Sequence, residues 1–293
     1  MRSTTTRAPR RVALAAVAWV LAMTPLPPAS AAPVSGQLLA MDQALWKYSG
    51  DRFHCKLELP ADNIGQLAFV RNAGGDLRFV VETRLKAGHA PAIALASSPW
   101  RQAPDVPPLA LEQNAKTLAL QPDSTQQLLA ALGQGFWFAI QLENLTVRVP
   151  TISWEQTAHE FEHCQTRLSP LSVEQARDRT LFYKQGQRAL STEQLSDLSR
   201  LAEYIKLDPK VSRILVDSYT DNTGSRLGNL QLSRERAADV AAALRDYGVP
   251  AGKIEQRAHG DRYPSATNAT LEGRDLNRRI TIRVIRQETG KSQ

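Results

Sequence analysis

Between residues 40 and 168 the apolar positions come in short runs or alternate with polar ones. The runs are LAFV at 67–70, DLRFVVETRL at 76–85, GFWFAIQL at 135–142, LTVRV at 145–149 and HEFEHCQT at 159–166. Gly74-Gly75, the proline-rich SSPWRQAPDVPP at 97–108 and Gly133-Gln134-Gly135 punctuate them. Short strands separated by turn residues predict an all-β antiparallel barrel or sandwich. One stretch, Ser124 to Leu132, has helical spacing, with Ser124 as its N-cap.

After Leu168-Ser169-Pro170-Leu171-Ser172 the period changes. Ser191-Thr-Glu-Gln194 is a capping box, with Leu190 and Leu195 placed as a hydrophobic staple. Leu195, Leu198, Leu201, Ala202 and Ile205 follow at helical spacing, and Pro209 ends the helix. A strand is predicted over 213–220. A second helix is predicted from about Ser233, with Ala237, Val240, Ala241 and Leu244 on one face and Gly248 as its stop. Two more strands, 254–258 and 279–285, complete an α/β sandwich of about a hundred residues. The predicted organisation is a segment 1–31, a β-rich domain 32–168, a linker 169–175, an α/β domain 176–287 and a tail 288–293.

The first 31 residues have a separate logic. Arg2, Arg7, Arg10 and Arg11 precede the apolar run VALAAVAWVLAM, then prolines, then Ala29-Ser30-Ala31. That order predicts a secretory signal peptide cut after Ala31, and so an exported protein. No cysteine follows the apolar run, so no covalent lipid anchor is expected. Without the signal, residues 32–175 carry 11 Lys and Arg against 14 Asp and Glu (−3). Residues 176–293 carry 21 against 15 (+6). A basic C-terminal half suits an anionic or zwitterionic polymer; no motif of a nucleic-acid-binding fold is present. The only two cysteines, Cys55 and Cys164, are expected to pair in an oxidising compartment, the alternative being two buried thiols.

The densest chemistry runs from Tyr219-Thr220-Asp221-Asn222-Thr223-Gly224 to Asn229-Leu-Gln-Leu-Ser-Arg-Glu-Arg236. Asp221 lies just past a strand and Arg236 in the expected first turn of the next helix. A loop folding back brings a carboxylate and a guanidinium to one rim. Such a pair takes the ammonium and carboxylate of a zwitterion, helped by free amides of a helix N-terminus. The alternative is that the two residues bridge each other.

Four blocks here resemble the OmpA/Pal-type peptidoglycan-binding family. They are Thr220-Asp221-Asn-Thr-Gly224, Asn229-Leu-Gln-Leu232-Ser233-Arg-Glu-Arg236-Ala237, Gly260-Asp-Arg-Tyr-Pro264 and Gly273-Arg274-Asp-Leu-Asn277-Arg278-Arg279. The resemblance implies an OmpA-like α/β fold and a non-catalytic role. It implies that Asp221 and Arg236 hold the meso-diaminopimelate of the stem peptide, with Asn229 shaping the loop, Thr220 among the peptidoglycan-binding residues, and Asn277 and Arg278 as secondary candidates. Phe182-Tyr-Lys-Gln-Gly186 departs from the family, which often has Asp or Asn there. The whole layout, with Trp46-Lys-Tyr-Ser-Gly50 ahead of Cys55, resembles the MotY family of sodium-type flagellar motors. That resemblance implies a periplasmic protein whose N-terminal half meets basal-body ring and stator proteins. The competing expectation is an outer-membrane OmpA-family protein, which requires a lipid-facing barrel at the N-terminus.

His159-Glu160-Phe-Glu-His163 matches the H-E-x-x-H zinc-hydrolase pattern. Its flanks lack a long apolar helix face and a third ligand at the expected spacing, so neither metal, cofactor nor enzyme activity is expected. His54, His89 and His259 have no partner spacing. Trp100, in the proline-rich segment, reads as packing or as a contact residue.

Overall fold

A computed structural model of the chain describes residues 35–62, 64–115 and 117–287. The expected signal segment and the tail 288–293 lie outside the described residues. The N-terminal half contains β1 (Ser35–Leu38), β2 (Lys47–Gly50), β3 (His54–Ala61), β4 (Gly65–Asn72), β5 (Arg78–Thr83), β6 (Ala92–Ala96), β7 (Leu109–Ala110), β8 (Glu112–Asn114), β9 (Thr117–Ala119), α1 (Pro122–Gly133), β10 (Trp137–Gln141), β11 (Leu145–Val149) and α2 (Trp154–Gln165).

These strands form two open sheets, β2-β3-β4-β5-β9-β8 and β1-β11-β10-β6-β7. Alternation along β3 turns Cys55, Leu57, Leu59 and Ala61 inward, and Leu57 pairs with Phe69 and Leu59 with Leu67 on β4. Phe79 and Val81 from one sheet and Phe138, Ile140, Val147 and Val149 from the other share a single core. Of the expected all-β antiparallel barrel or sandwich, the closed barrel and the all-antiparallel pairing are corrected. Neither sheet closes, and β1 runs parallel to β11. Two twelve-residue helices also join the core.

Both helices have local causes. Pro122 occupies the first turn of α1, where its missing N–H costs nothing, so the helix starts before Ser124 and Gln121 is its N-cap. Buried Thr125 accepts from the Phe79 amide at 3.1 Å and donates to the Gln121 carbonyl at 2.9 Å. The HEFEHCQT segment, expected as a strand, is helix α2. Trp154, Phe161 and Cys164 bury at helical intervals that the local alternation of His, Glu and Phe obscures. Cys164 on α2 is disulfide-bonded to Cys55 on β3, with Cα atoms 5.9 Å apart.

The C-terminal half comprises α3 (Val173–Arg177), β12 (Asp178–Phe182), α4 (Thr192–Leu207), β13 (Val211–Tyr219), α5 (Arg226–Asp246), β14 (Ile254–Gly260), α6 (Leu271–Asn277) and β15 (Arg279–Arg286). The sheet order is β12-β15-β13-β14, with β13 and β14 parallel across α5. The Ser191 capping box is present, with Gln194 donating its amide to Ser191 Oγ at 3.2 Å. Leu198, Leu201, Ala202 and Ile205 of α4 and Ala237, Val240 and Leu244 of α5 pack on Ile214, Val216, Ile280 and Ile282 of the sheet. Helix α5 starts at the Ser225 cap, two turns before the expected Ser233. The end of β13, the flank of α5 and the start of β15 therefore meet at one end of the sheet.

The segment 169–175 is built into both halves. Ser169 donates its amide to the Arg52 carbonyl at 2.8 Å, and Leu171 is buried in the C-terminal core. Ser172 and Gln175 form a capping box on α3, and Gln175 Nε2 donates to the Gly74 carbonyl at 3.1 Å. Phe53 meets Tyr204 edge-on at 5.8 Å between centroids. No helix among the described residues is long and apolar enough to cross a membrane.

Candidate functional site

Asp221 is the second residue past β13, and the backbone there is tied from three sides. The Thr220 amide donates to the Gly260 carbonyl at 2.8 Å, Thr220 Oγ1 to the Asp221 carbonyl at 2.9 Å, and Asn229 Nδ2 to that carbonyl at 3.2 Å. Ser233 on α5 accepts from the Gly260 amide at 3.0 Å. Gly260 has φ +61°, and a Cβ there would stand 3.1 Å from the Leu230 amide nitrogen, so the helix approaches this closely only because the position is glycine.

The Asp221 carboxylate is buried, at 7% exposure. Its Oδ1 accepts from the Thr223 amide at 2.9 Å and its Oδ2 from Arg278 Nη1 at 2.5 Å. Burial pushes this carboxyl up, but the bonds from Arg278 and Thr223 and the Arg278 charge outweigh it and hold the pKa below its usual value. Arg278 also pairs with Asp275 and donates from Nε to the Tyr183 carbonyl at 3.2 Å.

Arg236 sits in the third turn of α5 and is 2% exposed. Its Nη2 donates to the Gln187 carbonyl at 2.5 Å, while Nε and Nη1 are buried with no hydrogen-bond partner among the described residues. Its Cζ lies 4.3 Å from the centroid of the Tyr183 ring, a cation–π contact. Burial lowers the Arg236 pKa, yet a guanidinium stays charged in proteins. Burial also pushes the Tyr183 hydroxyl up to about 12.

Arg236, Asp221, Arg278, Thr220 and Asn229 share the walls of a cavity of about 200 Å³ with the 185–188 loop. Asp221 and Arg236 thus reach one cavity without bridging each other. Asn277 is elsewhere: fully buried, it accepts from the Ser265 and Ala266 amides at 2.8 and 3.0 Å and pins that loop. The expected help from helix-end amides is corrected by the long α5, because Arg236 lies far from the Ser225 cap. Tyr183 and Gln187 escaped sequence reading, since nothing in their spacing marks a ring beneath an arginine or a carbonyl in front of it.

The two halves match two families. The MotY N-terminal domain matches residues 39–170 and the OmpA family residues 182–278. Among curated relatives, the sodium-type flagellar protein MotY of Vibrio parahaemolyticus is 26% identical over 140 residues, 48% of this chain and 48% of that protein. The peptidoglycan-binding protein ArfA of Mycobacterium tuberculosis is 44% identical over 85 residues, 29% of this chain and 26% of that one. The chain thus spans about half or less of these relatives' lengths. The peptidoglycan-associated lipoprotein of Burkholderia pseudomallei is 27% identical over 37% of this chain and 90% of that structure, with a TM-score of 0.34. Neither matched family is an enzyme family.

In the N-terminal half, His159 and His163 lie one turn apart on α2 and both are exposed. Among the described residues, no group of three or more His, Cys, Asp and Glu converges as a metal site. Trp100 is 65% exposed and meets Trp137 edge-on at 6.2 Å. In the C-terminal half, His259 Nε2 lies 2.8 Å from Asp217 Oδ1, and its ring stacks on Tyr219 at 4.7 Å.

Proposed function

We propose that the OmpA-family domain binds peptidoglycan by clamping the diaminopimelate residue of the stem peptide, and that the protein ties the flagellar motor to the cell wall from the periplasm. The observation that carries this reading is the buried Arg236 guanidinium with two unpartnered nitrogens beside a cavity that Asp221 also lines. A buried charged donor without a partner is costly, and a ligand carboxylate supplies the missing acceptor. Asp221 has about four lone-pair positions and keeps room beyond Arg278 and Thr223 for an ammonium. A small site with both poles fits the free amino and carboxyl groups of diaminopimelate. Thr220 and Asn229 set the loop, and Arg278 fixes the Asp221 carboxylate.

The motor assignment rests on the MotY N-terminal domain match and on the name of the Vibrio relative. In this reading the N-terminal half meets basal-body ring and stator proteins, and the C-terminal half holds the wall. Sedimentation with purified sacculi tests the clamp. The wild-type chain should pellet with diaminopimelate-type sacculi, and Asp221→Ala and Arg236→Ala should stay in the supernatant. Equal pelleting of all three would overturn the clamp. Soft-agar motility of a deletion strain carrying each variant tests the motor role, with loss of swimming expected for both.

A further inference from the structure

Helix α6 is built inside out. Its inward positions are Gly273 and Asn277, both buried, while Leu271 and Leu276 are 62% and 49% exposed. An ordinary surface helix has the reverse polarity. Across from it, at the end of β12, Phe182 is 51% exposed. The three side chains line one groove of about 540 Å³. A clustered exposed apolar surface of this kind marks a contact site.

Two features say what covers it. The groove runs on from the Asp221–Arg236 cavity, because Gln185 and Arg278 belong to the walls of both. Lys184 lines the groove as well, and its ammonium has no ion-pair partner among the described residues. The Asp275 carboxylate at the groove is already paired with Arg278. The free charge of the groove is therefore positive, beside short apolar walls.

We infer that this groove is the subsite for the D-alanyl end of the same stem peptide, with Phe182, Leu271 and Leu276 taking the alanine methyl groups and Lys184 the terminal carboxylate. The inference rests on the diaminopimelate reading above. A peptide held at diaminopimelate continues into D-alanine, whose methyl side chains and free carboxylate match this surface. It makes the domain a reader of stems that keep a free D-alanyl terminus. The Phe182–Gly186 segment, which departs from the family pattern, supplies both the aromatic wall and the lysine.

Calorimetry with the purified full chain tests this, using the tripeptide ending at diaminopimelate, the pentapeptide ending in D-Ala-D-Ala, and the pentapeptide amide. Two buried methyl groups correspond to roughly tenfold in affinity, so the pentapeptide should bind about tenfold tighter than the tripeptide. The amide should lose about threefold through the exposed lysine contact. Phe182→Ser with Leu276→Ser should erase the gain and leave tripeptide affinity unchanged. Lys184→Gln should erase only the difference between acid and amide. Tripeptide binding with no gain for the pentapeptide would overturn the subsite and leave the clamp standing. Failure of every peptide to bind would overturn both. A dimer in sedimentation velocity that Phe182→Ser with Leu276→Ser dissolves would assign the groove to a second copy instead.

Discussion

Arg278 Nη1 donates to Asp221 Oδ2 at 2.5 Å, so the carboxylate at the cavity is held by the arginine preceding β15 and not by the arginine of α5. The division of labour follows from burial. Arg278 and Asp221 are both almost inaccessible and neutralise each other, whereas Arg236 is equally buried and lacks acceptors for two of its nitrogens. One arginine keeps the site in shape, and in the proposed clamp the other is left for the ligand.

Removing Arg278 should therefore harm the fold as well as binding. Arg278→Ala leaves Asp221 charged and buried with only Thr223 beside it, and frees the Tyr183 carbonyl. Breaking a buried pair from one side costs about 3–5 kcal/mol. Urea denaturation should show a loss of that order, together with loss of sacculus pelleting. A change within about 0.5 kcal/mol, the size of an ordinary surface substitution, would mean the pair is not structural.

Arg236→Met should behave in the opposite way. Methionine keeps an unbranched apolar stem over Tyr183 and removes two unpartnered buried nitrogens. Replacing buried charge by apolar side chains is often neutral or stabilising by about 1–4 kcal/mol. The midpoint of unfolding should stay level or rise, while pelleting with sacculi is lost. A variant that both unfolds easily and fails to bind would recast Arg236 as a structural residue.

The acid limb of stability carries the mark of two carboxylates. Asp221 is held below the ordinary carboxylate range despite burial, through Arg278 and Thr223. Asp208 is lowered too: burial raises it, but Tyr204 donates at 2.8 Å and Arg286 at 2.7 Å. A carboxyl whose folded pKa is depressed contributes stability above its unfolded value of about 3.9, and loses it as pH falls through the folded value. Urea midpoints should be flat from neutrality to about pH 5 and decline below it. Asp221→Asn and Asp208→Asn should each lower the plateau and flatten that decline. Decline on the alkaline side instead would contradict both assignments.

Much of the C-terminal half was legible because its signals are local. Ser191 and Gln194 name a helix start, Gly248 a stop, and the 195–205 spacing a buried face. Asp221 and Arg236 were legible as a pair of unlike charges flanking a loop. The role of Arg278 was not, since it depends on β15 running antiparallel beside β13, which brings positions 57 residues apart into contact. The start of α5 was misplaced because Arg226 to Leu232 has no apolar stripe, and the Ser225 cap alone marks it. In the N-terminal half, the alternating His159, Phe161 and His163 imitate a strand. What decides for helix is Trp154 and Cys164, which lie further apart than that alternation reaches. Sheet closure depends on edge pairing between distant strands, and no residue pattern within one strand encodes it.

The disulfide gives the last test, and it separates the halves. Cys55 and Cys164 are 109 positions apart and join β3 to α2 inside the N-terminal core. On the chain-entropy model a loop of that length is worth about 4.7 kcal/mol, acting through the unfolded chain. Both sulfurs are buried in the core, so replacing them by alanine also removes some packing, which adds to the loss of the crosslink. Cys55→Ala with Cys164→Ala should lower the stability of the N-terminal half by at least about 4–5 kcal/mol in urea titration. Reductant should shift the wild type in the same direction and leave the double variant where it is. Sacculus binding below the unfolding transition should be preserved, because the Arg236 cavity has no wall from the N-terminal half. Loss of binding in the folded double variant would show that the disulfide supports the site through the contacts between the two halves.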